Sequence, residues 1–271
     1  MLRQLTATAF LCGLGPWLAH GAEADASRTV APLERAHSHN DYEHARPLLD
    51  ALDQGFGSVE ADIHLVEGRL LVAHDRGQVR PERTLEALYL DPLSARVRAN
   101  GGRVFREEPT FWLLIDFKSE GVATWRVLEP LLERYRRMLT VFEADATHTN
   151  AVTVVISGNA PREVLLAAGK RLAALDGRVP DLDANPGRHR VPWISASWSS
   201  QFQWRGEGAQ PAGEATKLRG LVEQAHAQGR RVRFWGTPDV EDVWQAQWKA
   251  GVDWINTDRL AALAAFIRAA R

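Results

Sequence analysis

The residues best suited to chemistry in this sequence fall into a few short clusters. His37, His39 and Asn40 lie in Ala-His-Ser-His-Asn-Asp-Tyr, Glu60 and Asp62 in Val-Glu-Ala-Asp, His74 in Ala-His-Asp, and Asp116 and Lys118 in Ile-Asp-Phe-Lys. Glu60 and Asp62 stand two apart in an apolar run, so on an extended strand both point to one face. Brought together with Asp116, these carboxylates repel one another unless a cation sits among them. Hard oxygen ligands without a thiolate suit Mg2+ or Ca2+ better than zinc. The plain alternative is a solvated strand end whose acids pair with Lys118 or an arginine, and histidines on flanking segments argue against it. A metal beside His37 and His74 is equipment for phosphodiester cleavage: one imidazole takes a proton from the attacking oxygen, the other gives one to the leaving alkoxide. The cation and Lys118 then hold the charge growing on the phosphoryl oxygens.

Something must bring these clusters to one place. Apolar runs of strand type occur at 33–38, 58–65, 111–117, 152–157, 171–175, 193–197, 231–235 and 253–256, and segments of helical period at 47–54, 122–137, 162–170, 214–228, 240–250 and 259–270. Several of the helical segments close at glycine, as in Gln54-Gly55, Gln228-Gly229 and Ala250-Gly251. Strands such as Val-Thr-Val-Val-Ile read as buried on both faces, which belongs to a parallel sheet covered by helices. The repeated alternation predicts an α/β fold, a single (β/α)8 TIM-type barrel, and 271 residues suit it. In such barrels functional groups collect at the C-terminal ends of strands, and the clusters above do follow apolar runs. The stretch 84–108 reads as an irregular insertion over the barrel mouth.

The first 24 residues read as a cleaved secretory signal: Arg3, then an apolar stretch broken by Gly13, Gly15 and Pro16, then small residues offering cleavage between Gly21 and Ala24. The barrel domain is then 25–271, and the one cysteine, Cys12, is lost with the signal. A chain without cysteine suits an oxidising compartment, so a periplasmic or secreted location is expected. A net charge of −1 offers no polycationic surface, which sets nucleic acid aside. The expected partner is a small-molecule or lipid phosphodiester, with transient contact at a membrane surface and no obligate protein partner.

The motifs resemble the glycerophosphodiester phosphodiesterase and phosphatidylinositol-phospholipase-C-like superfamily, including spider sphingomyelinase D. The resemblance lies in a first-strand histidine, the Glu60-x-Asp62 pair, His74-Asp75 fourteen residues after Glu60, and the acidic-x-Lys element Asp116-Phe117-Lys118. Later, Val232-Arg233-Phe234-Trp235 is similar to a strand ending in Trp, and Gly251-Val252-Asp253-Trp254-Ile255-Asn256-Thr257-Asp258 to the closing Thr-Asp segment. The His-Ser-His-Asn-Asp-Tyr opening resembles the branch related to the fungal altered inheritance of mitochondria protein 6. The resemblance implies a metal-dependent phosphoric diester hydrolase in which a neighbouring substrate hydroxyl can attack phosphorus. The usual His-Arg-Gly opening is replaced by Ser38-His39-Asn40-Asp41, which leaves the acid/base role between His37 and His39. His37 is preferred because it follows the strand directly, and His39 and Asn40 are assigned to substrate contact.

Trp235 is expected either to wall the substrate pocket, stacking on a sugar-like ring or a cationic head group, or to cap the barrel core. Asp176, Arg178, Ser157 and Asn159 read as loop caps, with phosphate contact as the alternative. His44, His148, His189 and His226 read as surface residues, and the ten tryptophans mostly as packing. Two rival functions remain. An amidohydrolase-like metal-dependent phosphoesterase would use His37 and His39 as ligands but needs histidines after strands five and six, which are missing. A non-catalytic barrel binding a phospholipid head group would not require His37, Glu60, Asp62, His74 and Asp116 all to be present.

Overall fold

The computed structural model describes residues 30–107 and 110–271. The expected signal segment lies outside the described residues. Eight parallel strands run in sequential order around the molecule: β1 (Leu33–Ser38), β2 (Phe56–Val66), β3 (Phe111–Phe117), β4 (Val152–Gly158), β5 (Ala173–Gly177), β6 (Trp193–Ser197), β7 (Arg231–Trp235) and β8 (Ile255–Thr257). The sheet nearly closes into a barrel. Its seam, between β7 and β8, carries a single bridge, Arg233 to Trp254, with the Asp253 and Trp254 amides donating to Val232 O.

Helices follow the strands and cover the outer face, among them Leu49–Gln54, Gly121–Arg134, Ala212–Ala227, Glu241–Ala250 and Leu260–Ala270. The helix Leu49–Gln54 stops where Gly55 takes a φ of 89°, a conformation that L side chains resist, and a Cβ there would strike Ala31 O. The stretch 84–108 is more regular than expected. It holds a π-turn at Glu86–Leu90 and a helix at Asp91–Ala99, which buries Leu93 and Val97. The strand expected at 171–175 begins later, because Lys170–Arg171 joins a small antiparallel sheet with Val141–Glu143.

Strand periodicity fills the barrel in layers. Along β3, Trp112, Leu114 and Asp116 alternate inward. The first two join Val155, Trp193 and Trp254 in an interior apolar cluster, and the third reaches the mouth. Arg231 lies over Trp112 and Trp254, with Arg233 and Trp235 two and four residues further along β7. The tryptophans therefore make a floor, and polar groups can gather only above it. Their ring centroids lie 5.7–6.0 Å apart in tilted arrangements, as aromatic packing favours.

Candidate active site

Above the tryptophan floor, at the C-terminal ends of the strands, is a cavity of about 450 Å3. His39, Asn40, Glu60, Asp62, His74, Asp116, Lys118 and Trp235 line it, together with Ser157, Asn159, Arg178 and Arg233. Asp62 and Asp116 are direct partners in the β2–β3 register, which is why residues 54 apart in sequence share one height. Glu60, Asp62 and Asp116 each present a carboxylate oxygen within 4.8 Å of the other two. Gly158 makes room for this: with φ at 64°, any side chain there would collide with Asp116 Oδ1 and Phe117 O.

The protein supplies two cations to this cluster. Lys118 Nζ lies 3.0 Å from both Asp62 Oδ2 and Asp116 Oδ1, and Arg233 Nη2 lies 2.6 Å from Glu60 Oε2. Burial pushes the Glu60 carboxyl up, but Arg233 and the neighbouring imidazoles outweigh it and hold the acid well below its usual range. Asp116 goes the other way: burial, opposed by Lys118 and reinforced by Asp62 and Glu60, raises it to about 6. With Asp116 ionised, the three carboxylates against two cations leave one negative charge over. Asp62 Oδ1 is buried and has no hydrogen-bond partner among the described residues. A divalent cation fits both facts, since it would occupy the orphaned oxygen and let Asp116 ionise.

The histidines separate by position. His74 Nδ1 lies 3.0 Å from Asp62 Oδ2 and 3.2 Å from the Tyr42 hydroxyl, which itself donates to Asp62 Oδ2 at 2.6 Å. The His74 carbonyl is met by His64 Nε2 at 3.1 Å, fixing the turn. His39 Nδ1 pairs with Asp258 Oδ1 at 2.9 Å, while its Nε2 stands 3.9 Å from Glu60. Burial lowers the His39 imidazole, but Asp258 and Glu60 more than compensate, so it is raised overall. His37 departs from expectation. It sits within β1, is 0% exposed, and is not among the residues lining the cavity. Its Nδ1 bonds Ser58 Oγ at 2.8 Å, its ring packs edge-on against Trp193, and its Nε2 lies 3.6 Å from Glu60, beyond hydrogen-bond length. Burial, followed by Arg233, lowers its pKa to about 3, so it stays neutral. The chain turns only after Ser38, where Asn40 adopts a left-handed φ of 46°, and this turn carries His39 to the rim.

Several neighbours escaped the sequence reading. Tyr42 and Asp258 orient the two rim histidines across long sequence gaps. Arg233 could have been found by its spacing, since a charged residue two before the inward Trp235 on an apolar strand must also face inward. Trp235, read from sequence either as a pocket wall or as a cap on the core, lines the cavity, and the guanidinium of Arg178 lies over its ring at 5.0 Å from the centroid. Arg178 and Ser157 also line the cavity, and Asp176 ties the two together from below. Among the histidines read as surface residues, His226 is held by Asp253 at 2.8 Å and His189 by Thr147 at 2.9 Å, away from the cavity.

Comparison with known proteins identifies the family. Residues 24–173 match the family described as "AIM6-like phosphodiesterase domain", and residues 231–269 match the glycerophosphoryl diester phosphodiesterase family. Altered inheritance of mitochondria protein 6 from Eremothecium gossypii is 32% identical over 90% of this chain and 72% of that protein. A homolog from Arthroderma benhamiae is 28% identical over 88% of this chain and 85% of its own length. The crystal structure of a glycerophosphodiester phosphodiesterase from Parabacteroides distasonis superposes with a TM-score of 0.54, covering 87% of this chain and 97% of that one. At 13% identity it speaks for the fold alone. The name of the fungal relatives describes inheritance and specifies no reaction. By sequence, the chain belongs to the AIM6-like phosphodiesterase domain family, a branch of the glycerophosphodiester phosphodiesterase superfamily.

Proposed function

We propose that this chain is a divalent-cation-dependent phosphodiester hydrolase acting on a glycerophosphodiester or phospholipid-type substrate, with His39 and His74 as its acid–base pair. The observation that carries this reading is that two imidazole–carboxylate pairs, His39–Asp258 and His74–Asp62, flank an acidic triad on one cavity. His37, preferred from sequence, gives way to His39 because His39 lines the cavity and His37 does not. Glu60, Asp62 and Asp116 would hold Mg2+ or Ca2+, which when bound supplies positive charge against the phosphoryl oxygens.

The chain's own residues do the rest. Asp62 accepts from His74 Nδ1, which fixes the tautomer and leaves the Nε2 lone pair free to take a proton from the attacking oxygen. Asp258 favours the protonated form of His39, whose Nε2 would deliver a proton to the departing alkoxide. Lys118 sits where it can stabilise the phosphoryl charge once its carboxylate partners turn to the cation. Asn40, with its side chain 2.7 Å from the Tyr42 hydroxyl, lies at the cavity edge for substrate contact.

A panel of phosphodiesters with Mg2+, Ca2+ or EDTA, followed by phosphorus NMR, tests this reading. His39→Ala and His74→Ala should each lower kcat by about 10²-fold or more. His37→Asn should lower thermal stability without moving the pH profile. Turnover that survives EDTA sinks the cation, and turnover that survives loss of both rim histidines sinks the reaction. A protein that binds diesters but cleaves none is the non-catalytic barrel.

A further inference from the structure

The proposed chemistry leaves one wall of the cavity without a task. On it, Arg178 Nη1 donates to Asp176 Oδ2 at 2.7 Å and to Gly177 O at 2.9 Å, and Nη2 donates to Ser157 Oγ at 3.1 Å. Asp176 is fully buried at its side chain and also accepts from Ser195 Oγ and Ser157 Oγ. The guanidinium carbon lies over the Trp235 ring, 5.0 Å from its centroid. Held from below by a carboxylate and on one face by an indole, Arg178 is still 40% exposed, and its Nε has no protein acceptor among the described residues. This is a preorganised fork with donors to spare, the geometry that recognises carboxylate or phosphate.

Its place relative to the acidic triad sets what it can touch. Ser157 is the register partner of Asp116, and Arg178 follows the next strand over. Two strand spacings of about 4.8 Å separate the backbones of Arg178 and Asp116, while the guanidinium reaches back to Ser157 Oγ, one strand from Asp116, a separation that suits the end of a short alcohol arm. The Trp235 face that was expected to receive a cationic head group already carries a cation of the protein's own. A quaternary ammonium there would meet like charge.

We propose that Arg178 is the specificity-determining contact for an oxyanion, carboxylate or phosphate, carried on one alcohol of the phosphodiester. The proposal rests on the hydrolase reading above. The test uses 4-nitrophenyl phosphodiesters of propanol, choline, 3-hydroxypropanoate and propanediol monophosphate with the full chain and divalent cation. The anionic arms should exceed the propyl arm by about tenfold or more in kcat/KM, mainly through KM, with the choline arm lowest. The carboxylate and phosphate arms distinguish the two sources of the anion. Arg178→Gln should collapse the ratio of anionic to propyl arms toward one. Arg178→Lys, which keeps a cation beside Asp176, should retain part of it and guards against simple loss of fold. A wild-type ratio of one or less, or a ratio that persists in Arg178→Gln, overturns the proposal. If neither these diesters nor any of the phosphodiester panel above is cleaved, the hydrolase reading fails on its own. The subsite is then judged by calorimetric Kd values of non-cleavable phosphonate analogues with the same arms, where equal binding of anionic and propyl arms overturns it.

Discussion

Replacing Arg233 with methionine isolates the electrostatic logic of the site. The guanidinium is 3% exposed at its side chain, 2.6 Å from Glu60 Oε2 and 3.0 Å from Asn256 Oδ1. Without it, Glu60 is a buried carboxylate facing Asp62 and Asp116, with no guanidinium to offset them. Breaking a buried pair from one side typically costs about 3–5 kcal/mol, whereas removing both partners can be close to neutral. For a domain of this size that cost corresponds to a fall in Tm of about 6–20 °C. The double variant Glu60→Gln/Arg233→Met should recover much of the loss, giving a coupling energy above about 1.5 kcal/mol. The assay is urea unfolding of the four proteins in EDTA at about pH 7.5, with coincident fluorescence and circular dichroism transitions required. Because Glu60 is held below its ordinary range, its contribution is present above the usual carboxylate range and lost as pH falls through its lowered value. Adding Mg2+ should return more stability to Arg233→Met than to the wild type, since the ion replaces the missing charge. Single variants costing under about 1 kcal/mol, or a coupling below about 0.5 kcal/mol, would refute the reasoning.

Three further outcomes are expected. Asp258→Asn removes the partner that raises His39, so the limb of the kcat/KM profile where the acid is lost should move to lower pH, and a stationary limb would detach His39 from that role. The stability this pair contributes is full below the ordinary imidazole range and is lost as pH rises through the raised value. Asp116, raised to about 6, holds a proton that a cation must displace, so the Mg2+-induced rise in Tm should be larger at about pH 7.5 than at about pH 5. Tyr42→Phe removes the hydroxyl donating to Asp62 and touching His74, and should weaken activity or apparent Mg2+ affinity by about 10-fold or more in titrations, with circular dichroism unchanged.

The frame of the barrel was legible because its strands announce themselves. The runs at 111–117, 193–197 and 231–235 are apolar, rich in aromatic or branched residues, and appear as strands with those bounds. The helix Asp91–Ala99 was hidden because only Leu93 and Val97 are buried from it, too little periodicity to read. The grouping of the acids followed from the two-residue spacing on β2, which puts Glu60 and Asp62 on one face, and from the matching end of β3, which sets Asp116 level with Asp62. The exchange of His37 for His39 could not be read, because it depends on where β1 stops and which way Asn40 turns the chain. Tyr42, Asp258 and Arg178 acquire their meaning from partners across the barrel mouth, and sequence spacing does not encode those contacts.

The tryptophan floor has a consequence for traffic. A vessel stopped at its base cannot be flushed through, so whatever enters the cavity, water included, leaves by the same opening. Under the proposed hydrolysis the two halves would leave in succession by that opening, the more firmly gripped one last.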